Sequence, residues 1–340
     1  MTQMMSNRKL VLLSLLVILL SAHIVTAGFP EDWAYRKQFT LTNSGSALTD
    51  YQIMFTVNRS TGTDSGTTVY VGTNCQDDYD DIRFTDSSGT VLSYWIESST
   101  SSSATIWVKF PSIPAGSSTW YLYYGNPSAP SASDGDATFL FFDDFPGTAL
   151  DTSKWEVRSN VAGTVAVANS RLTLVVPNSD NKNTGIRSLQ SFGSQTQFIA
   201  RVVSHSNRVY GPLAKQDPPW YGDAISQWEV YGQYGSSDRD FGLRVNSVTS
   251  SSGIQPSDPY LLIVSWDNAA VRVQTSTGQD SGWKAASSLV SPHKIAIFAR
   301  DISTTSGGSF SIDYLFARYY VPDEPQHTAW SEVESTLLAE

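Results

Sequence analysis

Thr105-Ile106-Trp107-Val108-Lys109-Phe110-Pro111, followed by Thr119-Trp120-Tyr121-Leu122-Tyr123-Tyr124 and then Gly125-Asn126-Pro127, decides the fold. Ile106, Val108 and Phe110 alternate with Trp107 and Lys109. That period of two marks a strand with one face toward a core. Pro111 and Pro114 close it, because proline has no N–H to give to a ladder. The second run ends at a Gly-Asn-Pro turn signal. Working upstream, Tyr35, Lys37, Phe39 and Leu41 alternate with Arg36, Gln38, Thr40 and Thr42, before a turn at Asn43-Ser44-Gly45. Residues 51–57 repeat the pattern, with Ile53, Phe55 and Val57 on one face. The runs 82–85 and 91–96 flank Asp86-Ser87-Ser88-Gly89, which reads as a hairpin. Short strands with turns between them predict a β-sandwich.

Downstream, residues 127–135 are Ser, Ala, Pro and Gly with a closing Asp, which breaks the alternation and predicts a domain boundary. Strand patterns resume at Thr138 and recur to residue 320, among them 164–168, 171–176, 196–203, 260–266, 293–300 and 310–320. Almost no segment keeps a helical period for more than two turns. This predicts an all-β chain of two β-sandwich domains in series, the second a single large antiparallel sandwich. The expected division is a signal peptide over 1–27, a first sandwich over 28–127, a linker over 128–137, a second sandwich over 138–322 and a C-terminal tail over 323–340, either an extended cover or a disordered end.

The signal peptide is read from Arg8 and Lys9, the apolar run 10–20 and the small residues leading to Val25-Thr26-Ala27. The run is shorter than the roughly 20 residues a spanning helix needs, so cleavage after Ala27 is the first reading and a retained N-terminal membrane anchor the alternative. Either places the rest of the chain outside the cytoplasm, extracellular or on the cell surface. The 340 residues hold 22 Lys+Arg against 32 Asp+Glu, a net charge of −10. That balance disfavours nucleic acid as a partner. Charged residues are 16%, too few for a coiled coil. The single cysteine, Cys75, excludes an intrachain disulfide. Asn58-Arg59-Ser60 is a formal glycosylation sequon.

The first region resembles the family known as domain of unknown function 2341. The resemblance rests on Trp33-Ala34-Tyr35-Arg36-Lys37, Leu48-Thr49-Asp50-Tyr51-Gln52, Asp80-Asp81-Ile82-Arg83-Phe84-Thr85-Asp86, Tyr94-Trp95-Ile96-Glu97, residues 108–116 and Tyr121-Leu122-Tyr123-Tyr124-Gly125-Asn126-Pro127. It implies a surface protein and brings no catalytic residues. The second region is similar to the concanavalin A-like jelly rolls of lectins and glucanases. There the match is carried by Phe142-Asp143-Asp144-Phe145 with Gly147, Leu150-Asp151 and Lys154-Trp155, and by the closing run Ser311-Ile312-Asp313-Tyr314-Leu315-Phe316-Ala317-Arg318. That resemblance implies one structural calcium ion in many such domains, here at Asp143, Asp144 and Asp313, with solvated turn caps as the alternative.

Glycoside hydrolysis needs two carboxylates at a set separation, and the glucanase-like arrangement would show alternating acids on one strand. None is found: Glu229 stands alone, and Asp238 and Asp240 fall in a turn. No nucleophile elbow, zinc ligand set or phosphate loop occurs. No catalytic residue is therefore assigned. Ten Trp and sixteen Tyr leave room for ring stacking on sugars. Arg208, Tyr210, Trp220, Tyr221 and Trp228 are the candidate ligand-binding residues, with core packing as the competing role. The expected function is non-catalytic carbohydrate binding or adhesion, with a glycan or cell-envelope partner. A structural subunit of a surface layer, sheath or filament, which would self-associate, and a divergent glycoside hydrolase are the alternatives.

Overall fold

The computed structural model describes residues 32–159, 161–178, 182–206, 208–210, 213–214, 229–234, 239–245, 248–251, 258–268, 270–285, 292–301 and 307–335. The segment read as a signal peptide lies outside these residues. β1 (Tyr35–Asn43), β2 (Leu48–Asn58), β3 (Thr68–Tyr70), β4 (Arg83–Asp86), β5 (Tyr94–Ser99), β6 (Ser103–Ile113) and β7 (Gly116–Tyr124) build the first sandwich. β1, β7 and β4 form one sheet, and β3, β2, β6 and β5 the other. Phe39 and Leu41 of β1, Phe55 of β2, Phe84 of β4, Ile106, Val108 and Phe110 of β6 and Leu122 of β7 fill the space between them. The alternation that predicted these strands is the alternation of buried and half-buried residues in β1.

The expected hairpin forms but is short. The Asp86-Ser87-Ser88-Gly89 turn forms: the Asp86 carboxylate accepts the backbone N–H groups of Ser88 and Thr90, and Gly89 takes a φ of 88°. The two flanking runs pair only next to the turn, where the Asp86 N–H donates to the Thr90 carbonyl at 3.0 Å and the Leu92 N–H to the Phe84 carbonyl at 2.8 Å. Val91 makes one bridge to Thr85, and the chain then crosses to the opposite sheet, where Tyr94 opens β5 beside β6. Leu92 and Tyr94 are buried in the sandwich core, and that burial outweighs extension of the ladder.

The boundary segment is ordered by contacts on both sides. Its one short helix, α1 (Gly135–Thr138), is capped by the Asp134 carboxylate accepting from Ala137 N at 2.8 Å. Gln52 of β2 donates to the Thr138 carbonyl at 2.9 Å.

The second sandwich runs through β8 (Phe141–Asp143), β9 (Trp155–Ser159), β10 (Thr164–Val167), β11 (Leu172–Val176), β12 (Lys182–Phe192), β13 (Thr196–Ser206), β14 (Arg208–Tyr210), β15 (Leu213–Ala214), β16 (Glu229–Tyr234), β17 (Arg239–Val245), β18 (Val248–Ser251), β19 (Tyr260–Asp267), β20 (Ala270–Thr275), β21 (Lys284–Ala285), β22 (His293–Asp301) and β23 (Gly308–Tyr319). The large sheet has the order β10-β11-β23-β13-β19-β20-β21, with β8 also on β23. The smaller sheet is β14-β22-β12-β9, with β15 also on β22, and β16, β17 and β18 make a third. Phe198, Val264, Trp266, Ile312 and Leu315 of the large sheet meet Trp155, Ile186, Ile295 and Ile297 of the small one in a single core.

Of the stretch read as a tail, residues 323–335 supply structure to the first sandwich. β24 (Gln326–Trp330) and β25 (Glu334–Ser335) pair antiparallel with β1, so Tyr35 lies opposite Ser335. The Trp330 ring packs 4.9 Å from Phe39, and His327 stacks on both rings, 5.7 Å from Phe39 and 4.7 Å from Trp330.

Two predictions follow from this closure. Trp330→Ala removes a ring lying on the Phe39 and Phe55 side chains and should cost about 2 kcal/mol, read as a lower urea midpoint at unchanged slope. Burial pushes the His327 imidazole down to about 4 from its ordinary 6.5. The unfolded chain therefore takes up the proton first, and this stabilisation, complete above pH 6.5, is lost as pH falls through about 4. Replacing the ring by one that cannot titrate, His327→Phe, should flatten the melting temperature over that window. Equal acid sensitivity in both chains would refute the assignment.

Candidate functional site

β9 places charge on the outer face of the small sheet. Trp155 points into the core, so the period of two turns Glu156 and Arg158 to the other side. β12 sets Arg187 directly opposite Glu156, and β22 sets Ala296 opposite Arg187, with Lys294 two residues before it on the same face. The Glu156 carboxylate is held by three cations: Arg187 at 2.6 Å, Arg158 at 2.9 Å and Lys294 at 4.0 Å. Burial pushes Glu156 upward, but the hydrogen bonds and charges of Arg187 and Arg158 outweigh it and hold the carboxyl below its ordinary value. The centre of this face is closed over Ala296 and Phe298. The β9 side stays accessible, with side-chain exposures of 30% at Glu156, 34% at Arg158 and 24% at Lys294.

Two of the residues singled out from sequence fall in this same sheet. Arg208 and Tyr210 form the ends of β14, where they pair with Arg300 and Phe298 of β22. Trp220, Tyr221 and Trp228 lie outside the described residues. Glu156, Arg158, Arg187 and Lys294 escaped the sequence reading. The alternation Trp155-Glu156-Val157-Arg158 was the one local signal, and alone it describes any strand with a solvated face.

The three aspartates considered for calcium are placed differently from one another. Asp143 is buried, accepting from Trp155 Nε1 at 2.6 Å and from the Phe145 N–H at 2.7 Å. Burial raises its carboxyl above the ordinary range despite those donors. Asp313 sits between Arg171, at 2.9 Å, and Arg201, at 3.3 Å. Asp144 is half-buried beside Asp143. Among the described residues no three His, Cys, Asp or Glu side chains come together in a way that could hold a metal ion; protein donors already engage Asp143 and Asp313. In the acidic run 77–81, Asp81 is fully buried and accepts the N–H groups of Gln76, Gly125 and Asn126, so it ties that loop to the end of β7. Burial, with Asp81 nearby, pushes the Cys75 thiol up to about 12, which leaves it unreactive at neutral pH.

A hollow of about 450 Å³ lies where the two sandwiches and β24 meet, lined by Gln52, Met54, Trp107, Arg318, Glu324 and His327 among others. Its guanidinium is consumed by structure. Arg318 donates to Gln197 at 2.7 Å, to the Gln52 carbonyl at 3.1 Å and to Glu324, and it lies over the Tyr51 and Trp107 rings.

Fold and face together define an all-β protein of two sandwiches that carries an accessible, ion-paired polar patch on its second sandwich. Residues 78–158 match the family model described as domain of unknown function (DUF2341). The match runs from the acidic loop of the first sandwich through α1 into β9 of the second. No curated protein matches the chain. Among solved structures, the chain is similar to a β-1,3-1,4-glucanase (lichenase) derived from a mouse hindgut metagenome, at 15% identity over 53% of this chain and 99% of that one, with a TM-score of 0.40. A laminarinase catalytic domain from Thermotoga petrophila gives 11% identity, 53% and 96% coverage and a TM-score of 0.40. A protein of Mycobacterium tuberculosis described as a pseudo β-1,3-glucanase gives 15%, 54% and 99%, also at 0.40. Likeness at this level transfers no residue roles.

Asp143→Ala should cost roughly 2–3 kcal/mol, because it strands two buried donors, the Trp155 indole N–H and the Phe145 amide. Chemical denaturation followed by tryptophan fluorescence measures it; a change below about 0.5 kcal/mol would show that those donors find other partners.

Proposed function

We propose that this is an exported surface protein whose second sandwich binds carbohydrate without cleaving it. The observation that carries the reading is the state of Glu156. It is the one carboxylate among those residues of the small sheet whose side chains are described, and it is locked ionised in a cage of Arg158, Arg187 and Lys294. Hydrolysis requires an acid that gives up a proton and a second carboxylate that acts as nucleophile or base. A carboxyl held below its ordinary range is a poor proton donor, and no partner carboxylate accompanies it among those residues. What remains is a shallow array of hydrogen-bond donors, which suits the hydroxyls and ring substituents of a polysaccharide. The first sandwich covers the outer face of the large sheet, through Trp95 and Trp107 against Tyr314 and Phe316. The small sheet's outer face therefore lies on the opposite side of the second sandwich from that contact.

The test is a glycan array probed with the full chain, followed by incubation of every bound polysaccharide with the protein and mass spectrometry of the products. The expected result is retention with no shortened oligosaccharides. Release of oligosaccharides that disappears in Glu156→Gln would establish a hydrolase instead.

A further inference from the structure

We infer that the polysaccharide this face takes is acidic, carrying carboxylate or sulfate groups that dock on Arg158 and Lys294 beside β9. The inference rests on the carbohydrate-binding reading above and narrows its ligand class.

Among the described side chains, three cations stand around one anion, Glu156. That surplus runs against a chain whose net charge is −10. Arg187 is buried and faces Glu156 across the ladder, so the two hold one another. Arg158 and Lys294 are the accessible members, and neither is neutralised by a carboxylate of its own: each shares Glu156 with the other cations. The Arg158 guanidinium is only partly engaged by the protein. Its terminal nitrogen reaches Glu156, while its Nε–H is buried with no hydrogen-bond partner. A buried donor without an acceptor costs free energy in the unliganded protein. An incoming anionic oxygen would meet the exposed part of the same guanidinium and add a charge-assisted bond there. Guanidinium presents donors in a planar fork that matches carboxylate and sulfate groups, whereas a neutral hydroxyl supplies one weak acceptor at a time.

The experiment is affinity electrophoresis of the full chain through gels containing polygalacturonate, alginate, chondroitin sulfate, laminarin or a mixed-linkage β-glucan, with single-stranded DNA as a further polyanion. Retardation should appear with one or more acidic polysaccharides and weaken strongly as salt rises from about 0.05 to about 0.5 M. The uronate and sulfate gels separate the two anion types. Arg158→Gln and Lys294→Gln should each reduce affinity about tenfold at unchanged melting temperature. Glu156→Gln, which removes the competing anion, should tighten binding, an effect that a merely structural role would not produce. Retention on neutral glucans alone would overturn the acidic ligand and leave the carbohydrate reading standing. Retention on no polysaccharide would overturn both. Acidic binding unchanged in all three variants, or equal retention by DNA, would overturn the assignment to this face.

Discussion

Trp107 sits in a strand whose inward face is already filled by Ile106, Val108 and Phe110, so its ring must find burial outside its own sandwich. It does so together with Trp95, against Phe139, Phe142, Ile199, Tyr314 and Phe316 of the second sandwich. Phe139 and Phe316 stack with centroids 4.0 Å apart, and Trp95 meets Tyr314 edge-on at 5.1 Å. Aromatic rings of this size carry most of the apolar area in such a contact. The polar edges are also answered: Glu97 accepts from both the Trp107 indole N–H and the Tyr314 hydroxyl. The two sandwiches are thus joined by a core of their own, with a shared carboxylate on it.

That junction fixes what the rest of the molecule can present. One face of the large sheet is spent on docking, and Arg318 at the end of β23 extends the seam by reaching Gln52 of β2 and Glu324 of the following segment. The same segment then leads β24 back onto β1, where His327 and Trp330 complete the first core. A chain that returns to its starting sheet in this way ties the stability of the first sandwich to residues nearly three hundred positions away in sequence. In sequence the second sandwich is inserted between two parts of the first, and the outer face of its small sheet is accessible on the β9 side.

The sequence carried the strand content well wherever one face was partly solvated, as in β1, because alternation is then visible. It was blind where both faces are buried. Residues 183–188 of β12 and most of β23 are buried without alternation, and no local pattern says that Trp107 packs outward onto a neighbour. The return of β24 to β1 was equally hidden, since a pairing across such a separation leaves no local trace. The candidate face was less legible still. Searching for acids spaced along one strand finds nothing, because the charges around Glu156 come from β9, β12 and β22, and only the register brings them together. Arg208 and Tyr210, chosen from sequence for their chemistry, lie on β14 of that same sheet.

The jelly roll also separates the two carboxyls that acid–base chemistry would want together. Asp143 has a raised affinity for its proton, the property of a general acid, and Glu156 is held ionised, the property of a base or nucleophile. They lie on opposite sides of β9: Asp143 is bonded to the inward-pointing Trp155, and Glu156 faces outward from the next position. Successive residues of a strand point to opposite faces, so no rotamer change brings the pair to one substrate. Asp143 spends its oxygens on buried donors that fix Trp155 and Phe145, while Glu156 spends its charge on orienting Arg158 and Arg187. Each carboxylate is explained by what it holds in place, and the accessible charged groups that remain on the β9 side are the cations Arg158 and Lys294.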